Sequence, residues 1–250
     1  PALARAAARG EVVPVYILDE ETHPPGGASR WWLHHSLRAL SKSLGGLVLL
    51  RGAPGAGLQD LVKKTKADAV YWNRCYEPGA VARDTGIKED LKSAGVEVES
   101  FNASLLREPW EIATKQGGPF KVYSPFWRAL RSGDIAVPAK APKVTLAKTA
   151  GLGDGLDDWE LLPHAPDWAE GWDKIWRPGE AGAMARLDDF LNDGLKGYGD
   201  LRDRPDLAQT SLLSPHLRFG EISPRQVWAR TQFASDRSAA LRKDAEKFLS

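Results

Sequence analysis

Three hydroxyl side chains stand close together where a helix signal begins, late in the chain. They are Thr210, Ser211 and Ser214, and Pro215 follows directly. A serine before a proline is typical of a helix start, with the serine as N-cap and the proline in the first turn. Hydroxyls and backbone N–H groups then meet at the positive end of the helix dipole, which stabilises a phosphate or pyrophosphate. The segment therefore predicts an anion site, with capping of the helix alone as the alternative.

Two arginines precede this segment, Arg202 and Arg204. They could contact a phosphate backbone, or they could simply be solvated at the surface. The formal net charge of the 250 residues is only +1, so nucleic-acid binding would depend on a local patch. No apolar run approaches the ~20 residues that cross a bilayer, which predicts a protein without a membrane span.

The sequence motifs of other common nucleotide, phosphate and metal sites are absent from the chain. The chain has no GxGxxG, no P-loop motif and no His/Cys spacing of a metal site. Gly52–Gly57 is glycine-rich without the P-loop lysine, and the adjacent His34 and His35 would face different directions on a helix. The single cysteine, Cys75, excludes an internal disulfide and fits a reducing compartment, so we expect a cytoplasmic protein. We assign the ten tryptophans to packing.

The elements that position these residues change along the chain. Apolar, β-branched runs predict strands at Glu11–Leu18, Leu47–Arg51, Ala69–Asn73 and Val96–Phe101. Pro14 lacks a ladder hydrogen bond, so the first strand is expected to be irregular there or to use that edge differently. Helical signals cover Ala2–Arg9, Ser29–Leu44, Gly57–Lys66 and Ala80–Ala94. This alternation predicts an α/β fold with a doubly wound parallel sheet. Ligands of such sheets bind at the carboxyl ends of the strands, which here carry Asp19, Glu20, Arg51, Gly52, Asn73 to Glu77, and Asn102.

The middle of the chain loses this periodicity, and the end becomes all-α. Arg131–Pro178 is rich in proline and glycine, which predicts a long connection between domains. Its indoles would hold it against a domain surface; they are Trp159, Trp168, Trp172 and Trp176. Helices are predicted at Gly182–Gly194, from Ser214, at Arg225–Phe233 after the cap Ser223, and at Ala239–Leu249. The predicted organisation is an α/β domain at 1–110, a linker at 111–178 and the start of a helical domain at 179–250.

Six segments in this order carry a family pattern. They are GGASRWWLHHSL (Gly26–Leu37), YWNRCYEP (Tyr71–Pro78) with Ala82–Asp84, SFNASLLREPWEI (Ser100–Ile112), KVYSPFWRA (Lys121–Ala129), Gly197–Tyr198 with Arg202–Pro205, and TSLLSPHLRFGEISPRQVW (Thr210–Trp228). The last is the most specific. Together they resemble the DNA photolyase/cryptochrome family, and within it the bacterial cyclobutane-pyrimidine-dimer photolyases, over nearly the whole chain.

The resemblance implies a Rossmann-like domain with an antenna chromophore, a long linker, and a helical domain that holds FAD. Family members of this kind bind FAD through residues that correspond here to Tyr198, Thr210, Ser211, Leu212, Leu213 and Ser214. Arg202 corresponds to a DNA contact. The implied reaction is light-driven electron donation from reduced FAD to a flipped-out pyrimidine dimer in damaged DNA, which splits the cyclobutane ring. A monomer is expected.

Two alternatives remain at this level. A cryptochrome would bind the same cofactor and act as a blue-light sensor without repair activity. A nucleotide-binding α/β module without catalytic activity would account for the first half of the chain, but not for the TSLLS and SPRQVW segments. The similarity to bacterial repair enzymes favours the photolyase.

The sequence departs from the family pattern at several positions. Leu212 stands where the usual pattern TSRLS has arginine, which removes one polar contact of the cofactor loop. Arg218 stands where histidine is common. Gly79 and Ala80 follow the YEP motif, where relatives with a folate antenna have an Asn–Glu pair. The second chromophore is therefore expected to be of folate or flavin type, without a choice between them.

The last departure is one of extent. The chain resembles a fragment that lacks the first strand and the C-terminal half of family members. We expect that, taken alone, it would leave neighbours of a central strand unpaired and hold only part of a flavin pocket, and would thus be colourless and inactive. The tryptophan relay of the family would not be among its indoles.

Overall fold

The computed structural model describes residues 1–19 and 25–250, and these residues form two compact units. An α/β unit comprises Pro1–Phe101 and Lys140–Gly179, and a helical unit comprises Asn102–Ala139 and Glu180–Ser250. The segment predicted as the linker, 111–178, is thus shared between the two units. Whether the domain boundaries lie at 110 and 178 stays a prediction.

The α/β unit alternates strands and helices as the sequence indicates. Its strands are β1 (Val15–Leu18), β2 (Val48–Arg51), β3 (Ala69–Asn73) and β4 (Glu97–Phe101). Its helices are α1 (Ala2–Arg9), α2 (Gly27–Leu44), α3 (Pro54–Thr65) and α4 (Pro78–Ser93). Glu20, one of the residues expected at a strand end, lies outside the described residues.

All strand pairing between these elements is parallel, which confirms the fold class. β1 pairs with β2 and β3 pairs with β4, so the described strands form two sheets of two strands each. Helix α4 covers the second sheet, since Ile87, Leu91 and Val96 form a buried cluster with Val70 and Val98 against it. Apolar burial of this kind is the main stabilising contribution of the unit.

The first predicted strand, Glu11–Leu18, is irregular around Pro14 as expected, and the regular strand is shorter than predicted, covering only Val15–Leu18. Regular pairing begins only at Val15, because Pro14 has no N–H to donate. Its carbonyl still accepts a hydrogen bond of 2.9 Å from Val48. Val12 instead forms an isolated bridge with Leu146, so this part of the chain pairs with the segment after residue 140.

That segment, Lys140–Gly179, is an integral part of the α/β unit. The side chain of Trp159 is almost fully buried, and its indole N–H donates to Asp154 at 3.0 Å. The Asp154 N–H donates in turn to the Leu49 carbonyl of β2 at 2.8 Å. Trp172 and Trp176 pack on α2, with their rings 5.4 and 5.5 Å from those of Trp31 and Trp32. The prediction that indoles hold this segment is confirmed for these three, whereas Trp168 is 45% exposed.

The helical unit contains a further set of helices. They are α5 (Tyr123–Arg131), α6 (Glu180–Asp189) with a π-helical turn at Phe190–Gly194, α7 (Tyr198–Leu201), α8 (Ser214–Arg218), α9 (Pro224–Arg237) and α10 (Arg242–Leu249). The Ser223 cap of α9 is confirmed: its hydroxyl accepts the Gln226 N–H at 3.2 Å, and the Gln226 amide oxygen accepts the Ser223 N–H at 2.9 Å. No helix among residues 1–19 and 25–250 has the length and apolar character to cross a membrane.

Candidate functional site

The hydroxyl segment, defined here as Thr210–Ser214, runs into the short helix α8. The prediction that Ser214 caps this helix is wrong. Leu213 occupies the N-cap position with helical dihedral angles (φ −83°, ψ −8°), and Ser214 is already the first helical residue. An N-cap side chain bonds the following N–H groups from an extended backbone, which Ser214 does not have. The exposed Ser214 hydroxyl is therefore not used for capping.

One apolar side chain anchors the hydroxyl segment in the helical unit. Leu213 is 1% exposed and belongs to a cluster with Ala183, Leu187, Ile222 and Val227. The polar side chains around it remain accessible: Thr210 and Ser214 are exposed, and Ser211 is half-buried. The anchor thus fixes a row of hydroxyls at the surface of the unit.

The residue before the anchor has an unusual backbone. Leu212 has a φ of +52°, in the left-handed region that disfavours side chains other than glycine, and its side chain is 42% exposed. Such conformations cost of order 1–3 kcal/mol and cluster at ligand sites. This strained, exposed position is the one where the family pattern has arginine.

The backbone on both sides of Tyr198 is held by hydrogen bonds to Asp244, which the sequence did not indicate. The Asp244 carboxylate of α10 accepts the N–H groups of Gly197 and Gly199, both at 2.8 Å. Gly197 has a φ of +80°, which lets the chain turn into α7. The Tyr198 ring then packs edge-to-face on Phe190 and Phe248, at centroid distances of 5.6 and 5.3 Å. A contact between residues 47 positions apart leaves no local sequence signal for Asp244.

The structure brings Tyr198 and the hydroxyl segment onto one continuous core. The cluster around Leu213 and the cluster around Tyr198 share two side chains, Leu191 and Phe248. Both predicted cofactor-binding segments therefore depend on the same packing, although they are separated along the chain.

The two candidate arginines differ in how strongly they are paired. Arg204 holds the Asp206 carboxylate with two hydrogen bonds, of 2.8 and 2.6 Å, which lower the pKa of Asp206. Arg202 has only a distant acidic neighbour, since its Nε lies 3.7 Å from the Asp203 carboxylate. Among the residues that the structure describes, that Nε finds no hydrogen-bond acceptor. Although that Nε is buried, the Arg202 side chain is 36% exposed, and it holds its acidic neighbour less tightly than Arg204 does.

The strand ends of the α/β unit form a separate polar cluster. Arg83 of α4 forms ion pairs with Asp19 at 3.0 Å and with Asp84 at 2.7 Å. The Asn73 side chain accepts the backbone N–H of Ala2 at 3.3 Å. Desolvation of the thiol, followed by the nearby Asp84, raises the pKa of Cys75, although the residue as a whole is exposed. Asn102, also expected at this edge, belongs to the helical unit and accepts the Leu105 N–H at 2.9 Å.

Comparison with known proteins places these features in context. A family model described as DNA photolyase matches residues 1–143. The deoxyribodipyrimidine photo-lyase of Agrobacterium fabrum is 49% identical over 236 residues, which cover 92% of this chain and 49% of that protein. Cryptochrome-1 of Arabidopsis thaliana is 37% identical over 243 residues, which cover 91% of this chain and 35% of that protein.

A solved structure gives the same picture. The crystal structure of a class III photolyase from Agrobacterium tumefaciens matches with a TM-score of 0.90 and 47% identity, and covers 98% of this chain and 53% of that one. The chain therefore spans about half the length of the Agrobacterium proteins that it matches.

Proposed function

The chain belongs to the DNA photolyase family, and we propose that its protein is a light-driven repair enzyme that splits cyclobutane pyrimidine dimers with reduced FAD. The observation that carries the proposal is the hydroxyl segment, which is anchored by buried Leu213 and exposes hydroxyls that capping does not use. The 49% identity to a deoxyribodipyrimidine photo-lyase over 92% of the chain supports a photolyase over a cryptochrome, which matches at 37%.

The residues of the helical unit fit the pyrophosphate of FAD. Thr210 and Ser214 present exposed hydroxyls, and Ser211 adds a half-buried one, so the segment is rich in donors for phosphate oxygens. The buried amide oxygen of Gln209 next to it has no hydrogen-bond partner among the described residues, which favours a polar ligand at this place. We assign FAD to Tyr198, Thr210, Ser211, Leu212, Leu213 and Ser214.

Each part of this set has a separate task. When bound, reduced FAD supplies a photoexcited one-electron donor, which is the chemistry of the cofactor itself. The hydroxyls of Thr210, Ser211 and Ser214 bind and orient the phosphates. Tyr198, fixed by Asp244 and by its aromatic neighbours, provides an apolar wall that limits access of water.

Arg202 is the proposed DNA contact. Its guanidinium is weakly paired, whereas Arg204 is committed to Asp206. A phosphate contact at Arg202 would position the damaged strand without reading its sequence. The pyrimidine dimer itself would have to leave the base stack to reach a cofactor, as in other enzymes that act on bases.

Three further assignments complete the proposal. A second, antenna chromophore of folate or flavin type binds the protein, although Gly79 and Ala80 do not supply the Asn–Glu pair of one folate mode. The protein acts as a monomer on damaged DNA. Its single cysteine fits the reducing cytoplasm.

Photoreactivation of living cells tests this function. The protein is expressed in a bacterium that lacks its own photolyase and excision repair, and the cells receive ultraviolet light followed by blue light or darkness. We expect survival to rise only under blue light, and not with a Ser214→Ala variant produced at the same level. Equal survival in light and darkness, with flavin-loaded protein present, would contradict the photolyase and favour a cryptochrome-type sensor.

A further inference from the structure

A buried acid–base pair lies directly behind the hydroxyl segment. The His216 Nδ1 atom of α8 is 2.5 Å from the Glu221 carboxylate, and the two residues are only 2% and 7% exposed. The Glu221 N–H also donates to the His216 carbonyl at 2.9 Å. Side chains and backbone therefore close the same turn between α8 and α9.

The turn connects α8 to α9, and its conformation therefore affects where the hydroxyl segment before α8 lies. Helix α8 has five residues, too few to be stable without outside contacts. Leu213 and Ile222, one on each side of the turn, are each 1% exposed and share one cluster. The turn passes through Gly220, whose φ of +69° favours glycine, and it is followed by the capped start of α9 at Ser223. The well-anchored α9 thus holds α8, and with it the hydroxyls, through this turn.

The chemistry of the pair is costly in an apolar setting. A buried carboxylate needs a donor, and replacing a buried polar pair by apolar side chains is often neutral or stabilising. Stability alone does not explain why such a pair stands between Leu213 and Ile222. A short hydrogen bond between His216 and Glu221 does, however, fix the orientation of the two side chains relative to each other, which apolar packing does not.

We propose that His216 and Glu221 are positioning residues that hold the hydroxyl segment in the conformation that binds the phosphates of its ligand. The inference rests on the proposed assignment of Thr210–Ser214 to FAD. Neither side chain has to touch the ligand. The pair acts through the turn, by fixing where α8 and the hydroxyl segment before it lie.

A double variant separates positioning from folding. His216→Leu combined with Glu221→Met replaces both members of the pair together, so neither is left buried without the other and the unfolding temperature should stay close to that of the wild type. Affinities of the complete protein for FAD and for riboflavin, which lacks the phosphates, are measured by quenching of flavin fluorescence. We expect FAD affinity to fall about tenfold or more and riboflavin affinity to be unchanged, because only FAD uses the hydroxyls.

A matched pair of single variants tests the same bond without apolar replacement. Asparagine places its amide where His216 has Nδ1, and glutamine places it where the ring has Nε2. We therefore expect His216→Asn to keep FAD affinity within about threefold of the wild type and His216→Gln to lose about tenfold. Leu130→Ala, which alters a buried residue of α5 outside both clusters, controls for a general loss of stability.

The outcomes distinguish this inference from the function on which it rests. Wild-type FAD affinity in the double variant and in His216→Gln would overturn the positioning role and leave the flavin site intact. An equal loss of FAD and riboflavin affinity would also overturn it, because the whole pocket would then have changed. A wild-type protein that binds riboflavin as tightly as FAD would overturn the proposed phosphate site itself.

Discussion

Two serines that precede prolines have different tasks, and this difference can be tested residue by residue. Ser223 caps α9, whereas Ser214 is the first residue of α8 and its exposed hydroxyl does not cap the helix. We expect Ser214→Ala to leave the free energy of unfolding unchanged and to weaken FAD binding by about 1.5–3 kcal/mol, the usual contribution of a hydrogen bond to a charged group. Titration with FAD and urea unfolding measure the two quantities.

Ser223→Ala is the matched control for this change. It should cost about 1 kcal/mol of stability through loss of the cap, with little effect on flavin affinity. The reverse pattern, in which Ser214→Ala destabilises the protein and leaves FAD binding unaltered, would show that Ser214 has a purely structural role.

The two arginines allow a second comparison of single residues. If Arg202 contacts a DNA phosphate, Arg202→Ala should weaken binding to damaged and undamaged DNA alike, and should reduce the slope of log K against log salt by about 0.9. Arg204→Ala should leave the slope unchanged, because its guanidinium is held by Asp206. Fluorescence anisotropy over a range of salt concentrations provides both slopes. Identical slopes for Arg202→Ala and the wild type would show that Arg202 is merely solvated.

At the scale of elements, α10 fixes the loop that carries Tyr198. Asp244→Ala removes the acceptor of two N–H groups, so we expect a loss of about 2 kcal/mol and faster amide exchange of residues 197–199. Asp236→Ala, at an exposed position in the last turn of α9, should change neither quantity. Hydrogen exchange of the peptide that contains Gly197 and Gly199 measures the effect. Unchanged exchange in Asp244→Ala would show that aromatic packing alone holds the loop.

A second element-scale prediction concerns the segment after residue 140. Trp159 is 2% exposed and Trp168 is 45% exposed. Trp159→Ala should therefore destabilise the α/β unit by about 3–5 kcal/mol and Trp168→Ala by about 1 kcal/mol. Amide exchange of β2, which bonds this segment through Leu49 and Asp154, should rise in the first variant only. Equal effects would mean that the buried indole does not hold the segment.

The elements also show why sequence reasoning succeeds in some places and fails in others. Strand and helix order in the α/β unit follows from apolar periodicity, which reports burial locally. The Ser–Pro pairs at Ser214 and Ser223 both suggested caps, but of these two only Ser223 has glutamine three residues later to complete a capping box; Leu217 stands at that place after Ser214. Asp244 and the bridge of Val12 to Leu146 were not predictable, because each depends on contacts between distant parts of the chain.

At the scale of the whole molecule, the chain passes between its two units three times, at residues 101–102, 139–140 and 179–180. The parallel strands and the family motifs at 26–37 and 71–84 lie in the α/β unit, whereas the motif at 121–129 and the predicted cofactor residues lie in the helical unit. The candidate flavin site came from the family resemblance and from the hydroxyl pattern together, since neither the strands nor the net charge indicated it.

The most direct measurement is repair of a defined lesion. An oligonucleotide that contains one cis-syn thymine dimer is mixed with the complete protein, loaded with FAD and reduced, and is then exposed to blue light or kept in darkness. Chromatography separates repaired from damaged strands. We expect repaired product to accumulate with light dose and to be absent in darkness. A flavin-loaded, reduced protein that binds this DNA and leaves the dimer intact under blue light would contradict the assignment as a photolyase.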